Sequence, residues 1–456
     1  MINYSRTKNI APEQSPEVRV NNFEEVAGGF DTMSAVREAM RCVRCRTKPC
    51  MNNGCPAKQH IPDFVQAVAE GDFEKAYEIV CIESNLPSIC SRVCPHENQC
   101  EGACTRGYKG EPVAIGKIER FIVDWHEAHL KNADLLAEAV EANGHKVAII
   151  GAGPAGIACA KDLAVKGYDI TVYDSFVRPG GVLIYGIPKY RLPKELVDLE
   201  IARLEAKGVK FVTGKKVKPS EIAKDYESVF LAIGATVSQF MNIPGEDLEG
   251  VVSAQDYLKD VNMLKTYNVA CDEKAFQAKT VAVVGGGNVA MDACRCAARM
   301  GAENVYVIYR RTLEEAPAAK VEIKEATEEG VQFKFLTNPV SIKGENGKVV
   351  GIECVDMELG DPDESGRRTP LVIEGSNHVI PVDLVIMAIG NKIDKGDTDN
   401  LKANNNGTVI TEDDAQTSSK GVFAGGDVVT GPKTVVKAMK AGRNAAVSMD
   451  AFINGK

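Results

Sequence analysis

Several features that would place a chain early are missing from this 456-residue sequence. It has no long apolar run: its most apolar stretches, such as KVAIIGAGPAGIACA, are short, glycine-rich and flanked by charge, so no transmembrane span is expected. The first twenty residues, MINYSRTKNIAPEQSPEVRV, lack the apolar segment of a secretory signal. Positive charge is in deficit, 54 Lys and Arg against 63 Asp and Glu, and the net charge of -9 argues against nucleic acid or an anionic membrane surface as a partner. No low-complexity tract interrupts the chain. What remains is the expectation of a soluble, cytoplasmic protein of about three domains, with an ordinary globular balance of 44% hydrophobic and 26% charged residues.

Cysteine is present but unevenly spread. Nine of the fourteen cysteines lie between Cys42 and Cys104. In a reducing cytosol such density points to metal binding or catalysis rather than disulfides. The first group is Cys42, Cys45, Cys50 and Cys55-Pro56; the second is Cys90, Cys94-Pro95, Cys100 and Cys104. Between them IPDFVQAVAEGDFEKAYEIV has Ile61, Phe64, Val65 and Val68 at helical spacing, and HEAHLKNADLLAEAVEANG reads as a helical lead-out ending at Asn143-Gly144.

From His145 the texture changes. KVAIIGAGPAGIACAKDLAVKGYDITVYD reads as strand, glycine turn, helix, strand, and the same grammar returns in TVAVVGGGNVAMDACRCAARMGAENVYVIYRR. In the first copy Gly151 permits the tight turn, Gly153 lets backbone approach a pyrophosphate and Gly156 allows close helix–strand packing, with Pro154 and Ala155 opening the helix. Asp174 ends the next strand, placed to accept from a ribose 2′-hydroxyl. Gly180-Gly181 lets a second loop close over the ligand. Near the C-terminus GVFAGGDVVTGPKTVVKAMKAGRNAA supplies Gly426, Asp427 and a helix starting near Thr434 and Val435, whose N-terminus suits the pyrimidine side of a flavin. That segment resembles the FAD-binding end of disulfide-reductase-like flavoproteins, and FAD is the expected ligand.

The second motif, Gly285, Gly287, Asn288, Val289 and Ala290, is the G-x-G-x-x-A variant, and its second strand ends in Arg310 and Arg311 instead of an acid. Guanidinium groups match a 2′-phosphate where a carboxylate would repel it, so NADPH is expected over NADH. LAIGA and IMAIGN read as crossover strands between the two units, and ELGDPDESGRRTP as a solvated hairpin without function. A flavin beside a nicotinamide implies hydride transfer, for which no side-chain acid or base is nominated.

The flavin then needs an outlet. Residues 160–193 hold no cysteine, so no dithiol follows the first motif, and Cys294 and Cys296 would point about 200° apart on a helix, as core residues. Two structural zinc sites could use the eight N-terminal cysteines, but zinc leaves the flavin without an outlet. Iron–sulfur clusters provide one, and the Cys-Pro endings are those of two-cluster ferredoxins.

Together CxxCxxxxC…CP, CxxxCPxxxxCxxxC, GAGPAG, GGGNVA-MD and FAGGD resemble the small (beta) subunit of glutamate synthase, over nearly the whole chain. The same module is similar to the large subunit of electron-bifurcating NADH-dependent ferredoxin:NADP oxidoreductase and to part of dihydropyrimidine dehydrogenase. The resemblance implies an α/β protein with two Rossmann-like nucleotide-binding domains of disulfide-reductase type, the NADP domain inserted in the FAD domain, preceded by an α-helical iron–sulfur domain. The expected bounds are 1–140 for the iron–sulfur domain, 145–250 and 393–456 for the FAD domain, and 251–392 for the NADPH domain. It implies two [4Fe-4S] clusters with interleaved ligands: Cys42, Cys45, Cys50 and Cys104 on one, and Cys55, Cys94, Cys100 and Glu119 on the other, with Cys90 competing for the last place. Val182, Arg191 and Asp427 are carried over as FAD contacts, and Cys81 is expected to be a buried helix residue. The implied activity is electron input from NADPH through FAD and the clusters to a catalytic large subunit that makes glutamate. The alternatives are a bifurcating enzyme with a small flavin/iron–sulfur partner and ferredoxin, and a non-enzymatic scaffold with zinc in the cysteine domain.

Overall fold

The computed structural model of the chain describes residues 2–129, 140–270, 276–364, 366–399 and 401–455. The N-terminal part is helical: α1 (Pro16–Arg19), α2 (Thr32–Ala39), α3 (Ile61–Glu70), α4 (Phe73–Glu83), α5 (Pro87–Val93) and α6 (Ile115–His129), with a single π turn at Cys50–Gly54. Gly71, at φ 83°, closes α3, and the Asp72 carboxylate accepts from Lys75 N–H to open α4, so the helical stretch between the cysteine groups is two helices. Ile61, Phe64, Val65 and Val68 are all buried, against Ile118, Phe121 and Ile122 of α6. The lead-out expected to end at Asn143-Gly144 is helical through His129; residues 130–139 lie outside the described residues, and Val140–Asn143 is not helical.

The chain then builds β1 (Lys146–Ile150), α7 (Pro154–Ala164), β2 (Asp169–Tyr173), α8 (Val182–Tyr185), α9 (Lys194–Ala206), β3 (Lys210–Val212), α10 (Pro219–Ile222) and β4 (Ser228–Leu231). An excursion follows: β5 (Val237–Ser238), β6 (Val251–Ser253), α11 (Ala254–Tyr267), β7 (Thr280–Val284), α12 (Asn288–Arg299), β8 (Asn304–Tyr309), α13 (Lys320–Glu328), β9 (Gln332–Phe335), β10 (Thr337–Glu345), β11 (Lys348–Pro362), β12 (Arg368–Val372), β13 (His378–Ile380), β14 (Leu384–Met387) and β15 (Asn391–Lys392). The chain returns with β16 (Val422–Ala424), α14 (Asp427–Thr430) and α15 (Val435–Ile453).

Two five-stranded parallel sheets result, ordered β16-β4-β1-β2-β3 and β6-β14-β7-β8-β9. Both faces of such sheets are covered, which is why their central strands read as nearly unbroken apolar runs. Val147, Ala148 and Ile149 of β1 and Val281, Ala282 and Val283 of β7 are almost fully buried. Burying one such Val or Ile contributes about 1.5–3 kcal/mol. An antiparallel sheet, β10-β11-β12 with β13 also on β11, sits between α13 and β14 in the chain. The glycine-ended strands LAIGA and IMAIGN finish β4 and β14, and β5 and β15 pair antiparallel just beyond them, where the chain leaves and re-enters the first sheet.

The parts share cores. Leu86 at the N-cap of α5 and Ile89, Cys90 and Val93 within it join Val147, Ile157 and Met439 in one apolar cluster, so the helical part is packed onto the first sheet. Val26 and Tyr190 join the core of the second.

Candidate cofactor sites

In the first unit a Cβ on Gly156 would lie 1.9 Å from the carbonyl oxygen of Gly151, which fixes α7 against the turn after β1 and brings its first-turn N–H groups to the surface of the cradle. Gly181, at φ 54°, approaches so closely that its Cβ would meet Gly153 Cα at 2.8 Å. Gly426 stands over Ala155 from the other side. The three glycine segments, separated by 270 residues of chain, therefore form one cradle. Val182, at its edge, is half-exposed, and the hydroxyl of Thr434, N-cap of α15, is buried without a partner. Burial raises the Asp427 carboxyl to about 6, against the donated N–H of Lys433.

Asp174 was expected to serve a ribose. Its Oδ2 accepts from Ala152 N–H at 2.7 Å and its Oδ1 from Phe176 N–H at 2.8 Å, so it holds the glycine turn, with one lone pair on each oxygen still available. Burial nonetheless raises its carboxyl above the ordinary range. Arg191, carried over as an FAD contact, is held by an ion pair to each of two carboxylates of the second unit. Its guanidinium pairs with Asp292 of α12 at 2.8 Å and with Glu322 of α13 at 2.8 Å, because a buried cation needs carboxylates and these are the ones within reach. It ties the two units together.

In the second unit Ala290 takes the place of the third glycine and is fully buried. Asn288 Oδ1 accepts from Ala319 N–H at 2.9 Å, which draws the Pro317–Ala319 loop over the glycine turn. The two arginines part company. Arg310 is exposed; Arg311 is buried, donating to Arg368 carbonyl at 2.7 Å and to Asp363 Oδ2 at 2.9 Å. The ELGDPDESGRRTP hairpin, expected to be functionless, is thus anchored beside the strand end that carries Arg310.

The cysteines gather as two sets. Cys42, Cys45, Cys50 and Cys104 line one cavity with Lys48, Thr105 and Arg106. Burial, then the neighbouring Cys104 and Cys42, pushes the Cys50 thiol up to about 12. The Cys42 thiol is likewise raised by burial, and four cysteine sulfurs around one cavity are a donor set that a metal cluster fits. Cys94 is raised by its hydrogen bond with Cys90 and by burial, with Glu119 and Cys100 nearby. Cys55 and Cys100 are likewise raised by burial and feel Glu119. Glu119 itself is buried, its Oε1 has no partner, and its carboxyl rises to about 8 through burial alone. Cys90, the competing ligand, is close to Cys94, but its thiol also contacts Met439 Sδ at 3.9 Å. Among the described residues no three His, Cys, Asp or Glu are set as for a single metal ion. Cys294 and Cys296 are core residues; Cys81 is only half-buried, in α4.

Sequence reasoning missed the ion network behind the second unit. Arg295 is fully buried among Glu322 and Glu325 at 2.7 Å and Glu329 at 2.8 Å, and Arg19 of the N-terminal arm reaches Glu328 at 2.6 Å and Glu329 at 2.9 Å. The signal was present: acids at 322, 325 and 329 recur at helical spacing opposite Arg295 and Arg299.

The fold and these sites make the chain a member of the pyridine nucleotide-disulphide oxidoreductase family, whose model matches residues 145–442, joined to an N-terminal 4Fe-4S domain of dihydropyrimidine dehydrogenase domain II type, matching residues 19–131. It is an oxidoreductase with FAD, NADP and iron–sulfur chemistry. More particularly, it is 36% identical to the glutamate synthase [NADPH] small chain of Escherichia coli K12, over 95% of each chain, and 35% identical to that of Azospirillum brasilense, over 100% of this chain and 97% of that one. It is also 37% identical to the beta subunit of an NADP(+)-dependent formate dehydrogenase of Moorella thermoacetica, spanning 89% of this chain but 60% of that longer one. Mycobacterium tuberculosis FprA in complex with NADPH shares the fold, with TM-score 0.58 and 20% identity over 68% of this chain and 85% of that one. No helix among the described residues is long and apolar enough to cross a membrane.

Proposed function

We propose that this chain is the NADPH-oxidising, electron-input subunit of a glutamate synthase. FAD lies in the first cradle and NADPH in the second. One [4Fe-4S] cluster is held by Cys42, Cys45, Cys50 and Cys104, and a second by Cys55, Cys94, Cys100 and Glu119. The observation that carries the reading is the match in length and order with the glutamate synthase small chains, end to end on both sides. When bound, FAD takes hydride from NADPH and the clusters carry the electrons onward one at a time.

The chain's own residues do the positioning. The N-termini of α7 and α12 face the pyrophosphates, Arg310 meets the 2′-phosphate, and the N-terminus of α15 with Thr434 faces the site of the flavin ring. Glu119 offers an otherwise unpartnered oxygen to the second cluster, where Cys90 is turned partly toward Met439. The acceptor is a separate catalytic large chain.

A second reading has one observation in its favour: in the formate dehydrogenase relative the same length forms part of a longer chain of a different enzyme, so the module is not confined to glutamate synthases. Anaerobic purification of the protein from its own cells tests the proposal. A very large co-purifying chain and NADPH- and 2-oxoglutarate-dependent glutamate formation are expected. A small flavin/iron–sulfur partner in its place would mean a bifurcating enzyme, and a colourless zinc protein would mean a scaffold.

A further inference from the structure

Helix α13 of the second unit begins badly for a helix. Its N-cap is Ala319, whose side chain has no oxygen to accept from the free N–H groups of the first turn. The missing acceptor comes from another domain: the N–H of Lys320, the first helical residue, donates to Glu97 Oε1. Glu97 stands in the short 3₁₀ turn His96–Asn98, between Cys94 and Cys100. The other end of α13 is held from the N-terminal part as well, where Arg19 pairs with Glu328 and with Glu329 at the C-cap. A carboxylate at the start of a helix and a guanidinium at its end both complement the helix dipole. These partners are 223 and 310 residues apart in the chain, so both contacts exist only because the domains are docked.

The segment that leads into α13 covers the second glycine turn. Ala318 N–H donates to the Gly286 carbonyl at 3.1 Å and Ala319 N–H to Asn288 Oδ1 at 2.9 Å. Pro317 Cγ lies 4.0 Å from where a Cβ on Gly287 would stand. Farther back, the Glu315 carbonyl accepts from the Tyr309 hydroxyl at 3.0 Å and its carboxylate from Arg368 at 2.8 Å. Gly287 is the position at which backbone approaches a pyrophosphate, so a segment fixed against it is a wall of that cradle. Three successive N–H groups, those of residues 318, 319 and 320, therefore hold the wall. Two are spent on the turn itself and the third on Glu97.

We propose that Glu97 is a positioning residue for NADP(H): from the iron–sulfur domain it fixes the start of α13, and with it the Pro317–Ala319 wall, in the form that takes the nucleotide. The inference rests on the assignment of NADPH to the second cradle. A wall already in place binds more tightly than one that must be ordered on binding. Glu97 raises affinity in this way without touching the nucleotide.

The test titrates NADP+ into the holoenzyme by calorimetry. Glu97→Ala removes the acceptor. Lys320→Pro removes the donor and is compared with Lys320→Ala, which keeps the N–H; proline suits the first helical position, and Ala319 before it is already extended, at φ -62° and ψ 137°. The expected result is a Kd for NADP+ about three- to tenfold weaker in Glu97→Ala than in the unaltered protein, and weaker by a similar factor in Lys320→Pro than in Lys320→Ala, the worth of one hydrogen bond. The two losses should not add when combined, since both remove the same bond. Glu97→Gln, whose amide oxygen still accepts, should recover most of the affinity, and iron and flavin contents should be unchanged throughout. An unchanged or tighter Kd in Glu97→Ala would overturn the proposal, and so would equal values for Lys320→Pro and Lys320→Ala. Failure of the unaltered protein to bind NADP+ would remove the site assignment itself, and this proposal with it.

Discussion

The two nucleotide-binding units follow one plan, strand, glycine turn, helix, strand, 134 residues apart, yet they diverge wherever side chains meet something outside the plan. The third turn position is Gly156 in one and the fully buried Ala290 in the other. The second strand ends in Asp174, which holds its own turn, or in Arg310, which faces outward. The helices differ too: Lys161 of α7 is a quarter exposed and pairs with Glu200, whereas the matching Arg295 of α12 is wholly buried among three glutamates. The backbone plan is set by local geometry, and the differences are set by neighbours that each unit meets.

The largest effect should come from that last contrast. Arg295→Met leaves Glu325 without its cation and takes one of their cations from Glu322 and Glu329, which keep Arg191 and Arg19, and should destabilise the fold by about 3–5 kcal/mol, while Lys161→Met should cost about 1 kcal/mol or less; urea unfolding of both variants measures the difference, and equal losses would erase the contrast. Next, Gly156→Ala puts a Cβ on the Gly151 carbonyl and should cost about 2–3 kcal/mol together with most of the bound FAD, whereas Ala290→Gly should cost about 1 kcal/mol. Normal flavin content in Gly156→Ala would show the two turns to be interchangeable.

Smaller effects sharpen the comparison. Arg310→Ala should raise the KM for NADPH about 10- to 100-fold, the worth of one or two charged hydrogen bonds, and leave NADH nearly unchanged. Arg311→Ala loosens the hairpin and should affect both nucleotides alike. A selective loss in Arg311→Ala would transfer the phosphate contact to it. The smallest concerns Asp427, which only the first unit possesses. Its folded carboxyl titrates at about 6 against an ordinary 3.8, so the folded chain holds a proton that the unfolded chain has released. Its contribution therefore falls as pH rises from about 4 to about 6 and is level above that. In flavin-free protein Asp427→Asn should flatten that part of the Tm–pH curve; an unchanged slope would place the titration elsewhere.

Much of the architecture was legible because it rests on local rules. Gly151, Gly153 and Gly156 between an apolar strand and a helix, and their repeat at Gly285, declare the turns before any contact is known. The helix starting at Val435 was readable from Thr434 and the periodicity behind it. The ion pairs of Arg191 were not legible because a match to a motif says nothing of which carboxylates lie opposite, and the parting of Arg310 from Arg311 was not because, just past the end of β8, one guanidinium meets the hairpin and the other does not. The break at Gly71-Asp72 was readable in principle, since a glycine followed by a capping aspartate is a helix end.

The sequence by itself determined the two turns, the parallel strands around them and the presence of eight closely spaced cysteines, because these depend on residues a few positions apart. Only the tertiary structure decided which distant groups meet: Cys104 with Cys42, Cys45 and Cys50, Gly426 with Ala155, Arg191 with Asp292, Arg19 with Glu329. Such meetings depend on loop closure and on the burial of charge among its opposites. They are properties of the packed whole, to which a spacing in the chain contributes no coordinates.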